Sequence, residues 1–472
     1  MFLSVSYNNS RRIPFYLRMK RILFFLTILT ACVLAACSDD DSFSTSQADT
    51  LTFSVDTVKM DTVFAHVASS TYSFWVYNHA GGGVRLNTVR LANGNQTGFR
   101  VNVDGTYLDN TTGAVATGLE VRKDDSLRVF VELTAPETRQ LEPQLVSDEL
   151  VFALESGVEQ RVRLEAWVWN AEKLTNLVVS HDTLIDTRVP IIIYGDGIRV
   201  DSGAVLTLRN TTLYFHDGAG LQVDGRLVAE NCVMRGDRLD HMFDYLPYDR
   251  ISGQWRGIIF GRTSTGNEMT DSEVRNAMCG VLLEDSALLA PPQKRLTMTR
   301  CVVHNAKGHG IVSYNSFIGL YYCQLTNTQG DCLAVYGGLC DIDHCTLAQF
   351  YPFSAERGAA LRFANSYGER FFDHLELLCT NSIITGYADD VVFGETADTD
   401  STTTFVYAYE FENCLMRTPK VEGDSVSFRN IMWETPDDSI QGTQHFVVID
   451  EKNLYYDFHL DSLSTAQGKG CY

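Results

Sequence analysis

Two charged residues on glycine-flanked turns are the first places where this sequence offers chemistry. His309 stands between Gly308 and Gly310, Asp331 follows Gly330, and each lies eight residues after a cysteine, Cys301 and Cys323. A histidine and an aspartate held side by side make a general base, the carboxylate fixing the imidazole tautomer and raising its pKa. The plainer reading is a turn ion pair worth under about 1 kcal/mol, and it is preferred, because the aligned positions Ala219 and Ala359 carry no polar group. Two aromatic stretches offer ligand contacts instead: Tyr245, Tyr248 and Trp255 between Cys232 and Ser272, and Tyr351 and Phe353 after Cys345. Exposed rings stack on sugar faces, whereas buried rings seal a loop against its support. The buried reading is again the preferred one.

A repeat must position these residues. Arg300-Cys301-Val302-Val303-His304, Tyr322-Cys323-Gln324-Leu325-Thr326 and His344-Cys345-Thr346-Leu347-Ala348 share one pattern, with the cysteines 22 residues apart both times. The register extends to Thr211, Cys232, Ser272, Ser382 and Cys414, giving eight rungs. Apolar residues recur five and three positions before this slot, as in Leu206/Leu208 and Ile318/Leu320. A third alternation follows about ten residues later, as in Leu221/Val223, Ile311/Ser313 and Val391/Phe393. Two-step alternation marks strands with one buried face, and a period in the twenties marks stacked coils. Three short strands per coil, each pairing with the coils above and below, make a parallel β-helix. Asn or Asp often precedes the slot, where the chain bends; Arg300, Tyr322 and His344 interrupt any asparagine ladder.

Stacked coils place like positions about 4.8 Å apart, so columns can be read for chemistry. His309 and Asp331 fall at one turn of neighbouring coils. The outward column two before the slot reads Arg209, Glu230, Thr270, Thr299, Tyr321, Asp343, Thr380, Glu412, with no carboxylate pair on adjacent coils of the kind that glycoside hydrolysis requires. The slot cysteines are expected to be buried free thiols, since their Cβ atoms are spaced slightly beyond disulfide reach. Their spacing fits no zinc pattern. Ca²⁺ is compatible with the acidic surplus, but no calcium motif is present and no cofactor is expected. A net charge of −21 argues against nucleic acid and anionic membrane as partners.

Residues 1–37 read as a leader and secretory signal, its start placed at Met19, with a cationic Lys20-Arg21 and an apolar run ending in Leu34-Ala35-Ala36-Cys37. Residues 38–50 form an acidic tether poor in large apolar side chains. Residues 51–170 show longer alternations with hairpin breaks such as Gly81-Gly82-Gly83 and Asp104-Gly105, which predict a β-sandwich. Residues 171–472 hold the β-helix with its caps, Pro190-Ile191-Ile192-Ile193-Tyr194 as first strand and 446–463 as a last irregular coil. The fold class is all-β.

Leu34-Ala35-Ala36-Cys37 resembles the lipobox of bacterial lipoproteins, which implies a diacylated Cys37, and the Ser38-Asp39-Asp40-Asp41-Ser42 behind it resembles a surface-export signal of Bacteroidetes. Together with Lys123-Asp124-Asp125-Ser126-Leu127, the run from Leu213 to Leu221, and Gly236-Asp237-Arg238-Leu239 leading to Gly253-Gln254-Trp255, the layout resembles Bacteroidetes surface lipoproteins that join an immunoglobulin-like sandwich to a right-handed parallel β-helix. The resemblance implies an outer-membrane lipid anchor and exposure at the cell surface. Repeated Asp-Ser/Thr-apolar triplets such as Asp125-Ser126-Leu127 resemble an O-glycosylation sequon. The Gly308-His309-Gly310 and Gly330-Asp331 fragments resemble polygalacturonase motifs, but in reversed order and without the second aspartate. The function expected is a binding or adhesion module for glycans, host matrix or an envelope partner, with a polysaccharide hydrolase or lyase as the alternative.

Overall fold

The computed structural model describes residues 42–108, 113–138, 140, 142–241, 247–285, 293–397 and 404–472. Cys37 and Tyr245 lie outside the described residues.

Ten strands between Thr52 and Trp169 form two five-stranded sheets. In spatial order the first holds Thr52–Phe53, Tyr72–Tyr77, Ser126–Leu133, Phe99–Val103 and Thr106–Tyr107, and the second Thr57–Phe64, Glu159–Trp169, Gln144–Leu154, Val84–Leu91 and Val115–Val121. Alternation sends Phe74, Val76, Val129 and Val131 of one sheet and Met60, Leu150, Phe152 and Leu164 of the other into one shared core.

Between Glu172 and Trp433 the described strands join a single 26-stranded sheet, parallel at every pairing and wound as a β-helix with three faces, apart from Ser366–Tyr367 and Arg370–Phe371, which form a small antiparallel hairpin of their own. All eight slot residues are buried, and every residue before a slot is left-handed, with φ between 49° and 56°. Asparagine bears that geometry most cheaply. Where it is missing, other contacts hold the bend: Arg300 grips Asp271 through two bonds of 2.6 and 2.7 Å, and Tyr322 stacks on His344 at 4.9 Å. Asparagines cross-link elsewhere, Asn231 to Asn210 and Asn413 to Asn381.

The slot has its own hydrogen-bond rule. Cys232, Cys301, Cys323, Cys345 and Cys414 each donate Sγ–H to the carbonyl two residues back, as Ser272 and Ser382 do with Oγ–H. The same atom accepts the slot N–H of the preceding coil in three places: Cys232 to Ser272, Cys323 to Cys345, and Cys345 to Ser382. A small side chain that both donates and accepts is what the position selects, so Cys and Ser interchange there, while Thr211 in the first slot donates to Thr187 O at 2.7 Å instead. All ten cysteines from Cys232 onward are free thiols.

Four details differ from the sequence reading. Ile191–Val200 is not the first strand, because Glu172–Val179 already pairs beneath it; that strand's mostly exposed side chains hide its period. Ile258–Phe260 adds a rung on the third face between Cys232 and Ser272, where the sequence reading placed only candidate aromatic ligand contacts. The Val391/Phe393 alternation is shifted by one: Val392 aligns with Leu361 and Phe393 with Arg362, so the Phe393 ring lies outside, under the Arg362 guanidinium. Phe446–Asp450 and Tyr455–Leu460 form an antiparallel hairpin, not a coil. Two coils also fuse their third and first faces into 11-residue strands, Ile311–Tyr321 and Leu333–Asp343, the second bending at Gly338 (φ 81°), where a Cβ would meet Ser316 N at 2.4 Å.

The second face of the helix is covered at both ends. Near its start, outward Ile192 and Tyr214 pack on Phe64 and Trp169 of the sandwich. Near its end the hairpin lays Phe446 and Phe458 on Ala348, Phe350, Ile383 and Leu415. The last residues run back along the same face, with Gly470 N–H donating to Asn381 O and Tyr472 Oη–H to Gln324 Oε1. The uncovered stretch between the two covers is the floor of a cleft.

Candidate functional site

His309 and Asp331 do stand on neighbouring coils, 3.5 Å apart between Nδ1 and Oδ2. The bond that forms, however, is from the Asp331 backbone N–H to His309 Nδ1, at 3.0 Å. With Nδ1 accepting, the ring proton belongs on Nε2, and the Asp331 carboxylate receives no ring N–H. It takes its bonds from the Ala359 N–H at 2.6 Å and Arg362 Nε at 3.0 Å, and Arg362 in turn reaches Glu395. Burial lowers the His309 pKa. This arrangement is a turn lock. A bond from ring to carboxylate exists at His216 and Asp237, 2.6 Å apart, on coils 21 residues removed. The strand register that aligns Phe215 with Gly236 puts them side by side.

The aromatic candidates divide. Trp255 is sealed in the core, stacked on Phe215 at 4.3 Å with its indole N–H donating to Arg275 O. Tyr351 is buried, its hydroxyl 2.7 Å from Ser252 Oγ. Tyr248 lies under the Arg238 guanidinium at 3.6 Å. Phe353 is 46% exposed and faces the cleft.

That cleft has a volume of about 420 Å³. Its floor is the outer face of Glu273–Arg275, Val302–His304 and Gln324; its walls come from residues 249–250, the 352–353 loop, the hairpin at 454–458, and Tyr472. Phe353, Tyr455 and Tyr472 present half-exposed rings. Asn276 and Asn305, both left-handed, are tied to the 249–250 turn, Asn276 Nδ2 to Asp249 O at 2.6 Å and Asn305 Nδ2 to Arg250 O at 2.6 Å. The next asparagine in the column, Asn327, is 1% exposed, and neither its amide nor the nearby Tyr456 hydroxyl makes a hydrogen bond of good geometry. Asp249 Oδ1 and Arg275 Nε are also buried without partners. A buried polar atom left unpaired costs about 1–3 kcal/mol, and these atoms lie behind the cleft wall, closed to solvent.

The charges are nearly balanced. Arg275 pairs with Glu273 at 2.7 Å, and Asp249 receives His241 at 2.6 Å and Arg250 at 3.4 Å. Burial raises the Asp249 pKa against the pull of His241, Arg250 and Arg235. His304, its Nδ1 2.8 Å from Thr326 Oγ1 and its ring beside Tyr456 and Phe458, is pushed down to about 3 by burial and by Arg275. A histidine kept neutral by the fold contributes stability that is present above its ordinary pKa and is lost as pH falls toward the depressed value. Acidification from about pH 6.5 to about pH 4.5 is therefore expected to cost roughly 1–2.5 kcal/mol here, the lower figure if water entering the cleft screens the ring. Thermal unfolding across that range, compared with His304→Gln, checks this; identical slopes in both proteins would count against it. Among the described residues no cluster of three or more His, Cys, Asp or Glu is arranged to hold a metal ion.

Comparison with known proteins matches residues 170–347 to the right-handed beta helix region. The search of curated proteins found no match. Among solved structures the chain is similar to a family 123 glycoside hydrolase from Clostridium perfringens, at 9% identity and TM-score 0.18, over 27% of this chain and 26% of that one, so it spans about a quarter of that protein. It is also similar to the catalytic domain of a GH87 alpha-1,3-glucanase, at 9% identity and TM-score 0.29 over 79% of this chain and 89% of that one. The Agl-KA catalytic domain aligns at 10% identity and TM-score 0.29, over 77% and 76%. Scores of this size leave function to the site itself.

Proposed function

We propose that this protein is a lipid-anchored surface protein that binds glycans in the cleft between its two covers. The observation that carries the reading is the cleft itself, whose lining combines the half-exposed rings of Phe353, Tyr455 and Tyr472 with the Arg275 guanidinium, the carboxyl groups of Asp249 and Glu273, and the amides of Asn276 and Asn305. Rings take the apolar faces of sugars, and fixed amides, guanidinium groups and carboxylates take their hydroxyls. The anchor at Cys37, the immunoglobulin-like character of the sandwich and exposure at the outer membrane rest on the sequence resemblance; failure of Cys37 to incorporate labelled fatty acid would remove the anchor.

Hydrolysis of the bound glycan is a second reading, favoured by the carboxyl groups of Asp249, Glu273 and Asp457 in one cleft. Burial helps Asp249 to hold a proton, as a general acid must, while Glu273 is held in place by its bond to Arg275. A soluble chain starting at Ser38 tested on a glycan array and for sugar release separates the two. Binding that Phe353→Ala weakens at least tenfold, without release, is the expected result. Release abolished by Asp249→Asn establishes hydrolysis, and an array with no glycan bound overturns the proposal.

A further inference from the structure

We propose that the glycan taken by this cleft carries a carboxylate, held by Arg235 with Arg275 beside it; this rests on the cleft being the glycan site. Of the three guanidinium groups lining the cleft, Arg275 has Glu273 and Arg250 has Asp249. Arg235 has no ion pair among the described residues: its Nε bonds Gly236 O and its Nη2 bonds Arg238 O and Asp249 O, all carbonyls. Carbonyls fix the guanidinium plane without neutralising it. Burial lowers the Arg235 pKa and Arg275 adds to that, against the longer-range pull of Tyr214, Asp249 and Glu273, none of which it meets in an ion pair.

A partly desolvated cation with no carboxylate in contact among the described residues is costly unless an anion meets it. The ring of Tyr214 below Arg235, 6.0 Å from the guanidinium carbon, gives some compensation, but it is no counter-ion. A planar guanidinium with a fixed orientation matches a carboxylate best, through paired N–H donors. The nearby carboxyl groups of Asp249, Glu273 and Asp457 disfavour a ligand of higher negative charge. A guanidinium whose carboxylates among the described residues lie beyond ion-pair distance therefore favours a singly charged sugar acid, while Phe353 and Tyr455 receive the neighbouring sugar rings.

The test uses the full mature chain from Ser38 and a polyuronate, the same polymer after reduction of its carboxyl groups to alcohols, and a neutral glucan. Binding to the polyuronate is expected to exceed binding to the reduced polymer at least tenfold and to weaken with added salt. Arg235→Gln should erase that preference. Because Arg235 also packs on Tyr214, Arg275→Gln is measured alongside, with the expected effect a partial loss of the preference at an unchanged thermal midpoint. Equal binding of the acidic and reduced polymers overturns the inference and leaves a neutral-glycan cleft standing. Binding of none of the three by a folded protein overturns the inference, and binding elsewhere on the chain, insensitive to Phe353→Ala, overturns the reading beneath it as well.

Discussion

Cys323→Asp is expected to destabilise the β-helix by about 4 kcal/mol or more, while Cys323→Ser costs under about 1 kcal/mol. Cys323 is fully buried between the slots of its neighbours, its Sγ 3.3 Å from Tyr321 O and its N–H 3.3 Å from Cys345 Sγ. Serine satisfies the same pair of demands, since Ser272 and Ser382 already do so in other coils. Aspartate brings a second oxygen for which the slot has no donor, and a charge that burial refuses. Burial raises the Cys323 thiol pKa well above its ordinary value, a direct sign of how the site treats negative charge. Urea unfolding of the three proteins is the measurement. If the aspartate variant unfolded within about 1 kcal/mol of the serine one, water would have to enter the stack, and the slot rule would be wrong.

The slot rule also explains what the sequence could reveal. Strand faces repeat because each coil solves one packing problem again, so the column from Arg209 to Glu412 reads off in register before any coordinates exist. The reading slips where packing does not repeat. At Val391, Phe393 turns outward to lie under Arg362, and an apolar ring at an exposed position mimics an inward one. At Trp255 the preferred buried reading holds, but nothing local to the sequence around it shows that Phe215 is the ring it stacks on. The cleft was hidden for a third reason. Asp249, Glu273, Phe353, Tyr456 and Tyr472 come from a turn, a strand, a loop, a hairpin and the chain's last residue, and only the folding back of the hairpin gathers them. The three carboxyl groups of the cleft, Asp249, Glu273 and Asp457, come from three different elements, so no column of adjacent coils brings them together.

The fastening of that hairpin gives the other large effect: Arg417→Ala is expected to cost about 3–5 kcal/mol and to loosen the chain beyond Glu434 first. Arg417 and Glu434 form a buried pair at 2.6 Å, with side chains 6% and 1% exposed. Arg417 further binds Ala388 O, Asp389 and Gln441. Glu434 accepts from Thr385 Oγ1 and Gly442 N–H, and His445 Nε2 lies 3.5 Å away, so the pair joins the coil at 383–386 to the turn that launches the hairpin. Burial alone would raise the Glu434 pKa, but the bonds from His445, Arg417, Gly442 and Thr385 outweigh it and hold the carboxyl below its ordinary value. A depressed carboxyl contributes stability present above its unfolded pKa and lost as pH falls through the folded one, so acid should release the hairpin, together with the contribution of His304 at the cleft. Removing Arg417 leaves Glu434 buried with its main counter-charge gone, whereas Arg417→Met with Glu434→Met removes both charges and is expected to recover at least half of the loss. Hydrogen exchange at Phe446–Asp450, compared with exchange in the coils at 311–343, locates the effect. Uniform loss of protection along the whole helix would show that the hairpin is no separate unit, and protection unchanged at Phe446–Asp450 would show that Arg417 does not fasten it.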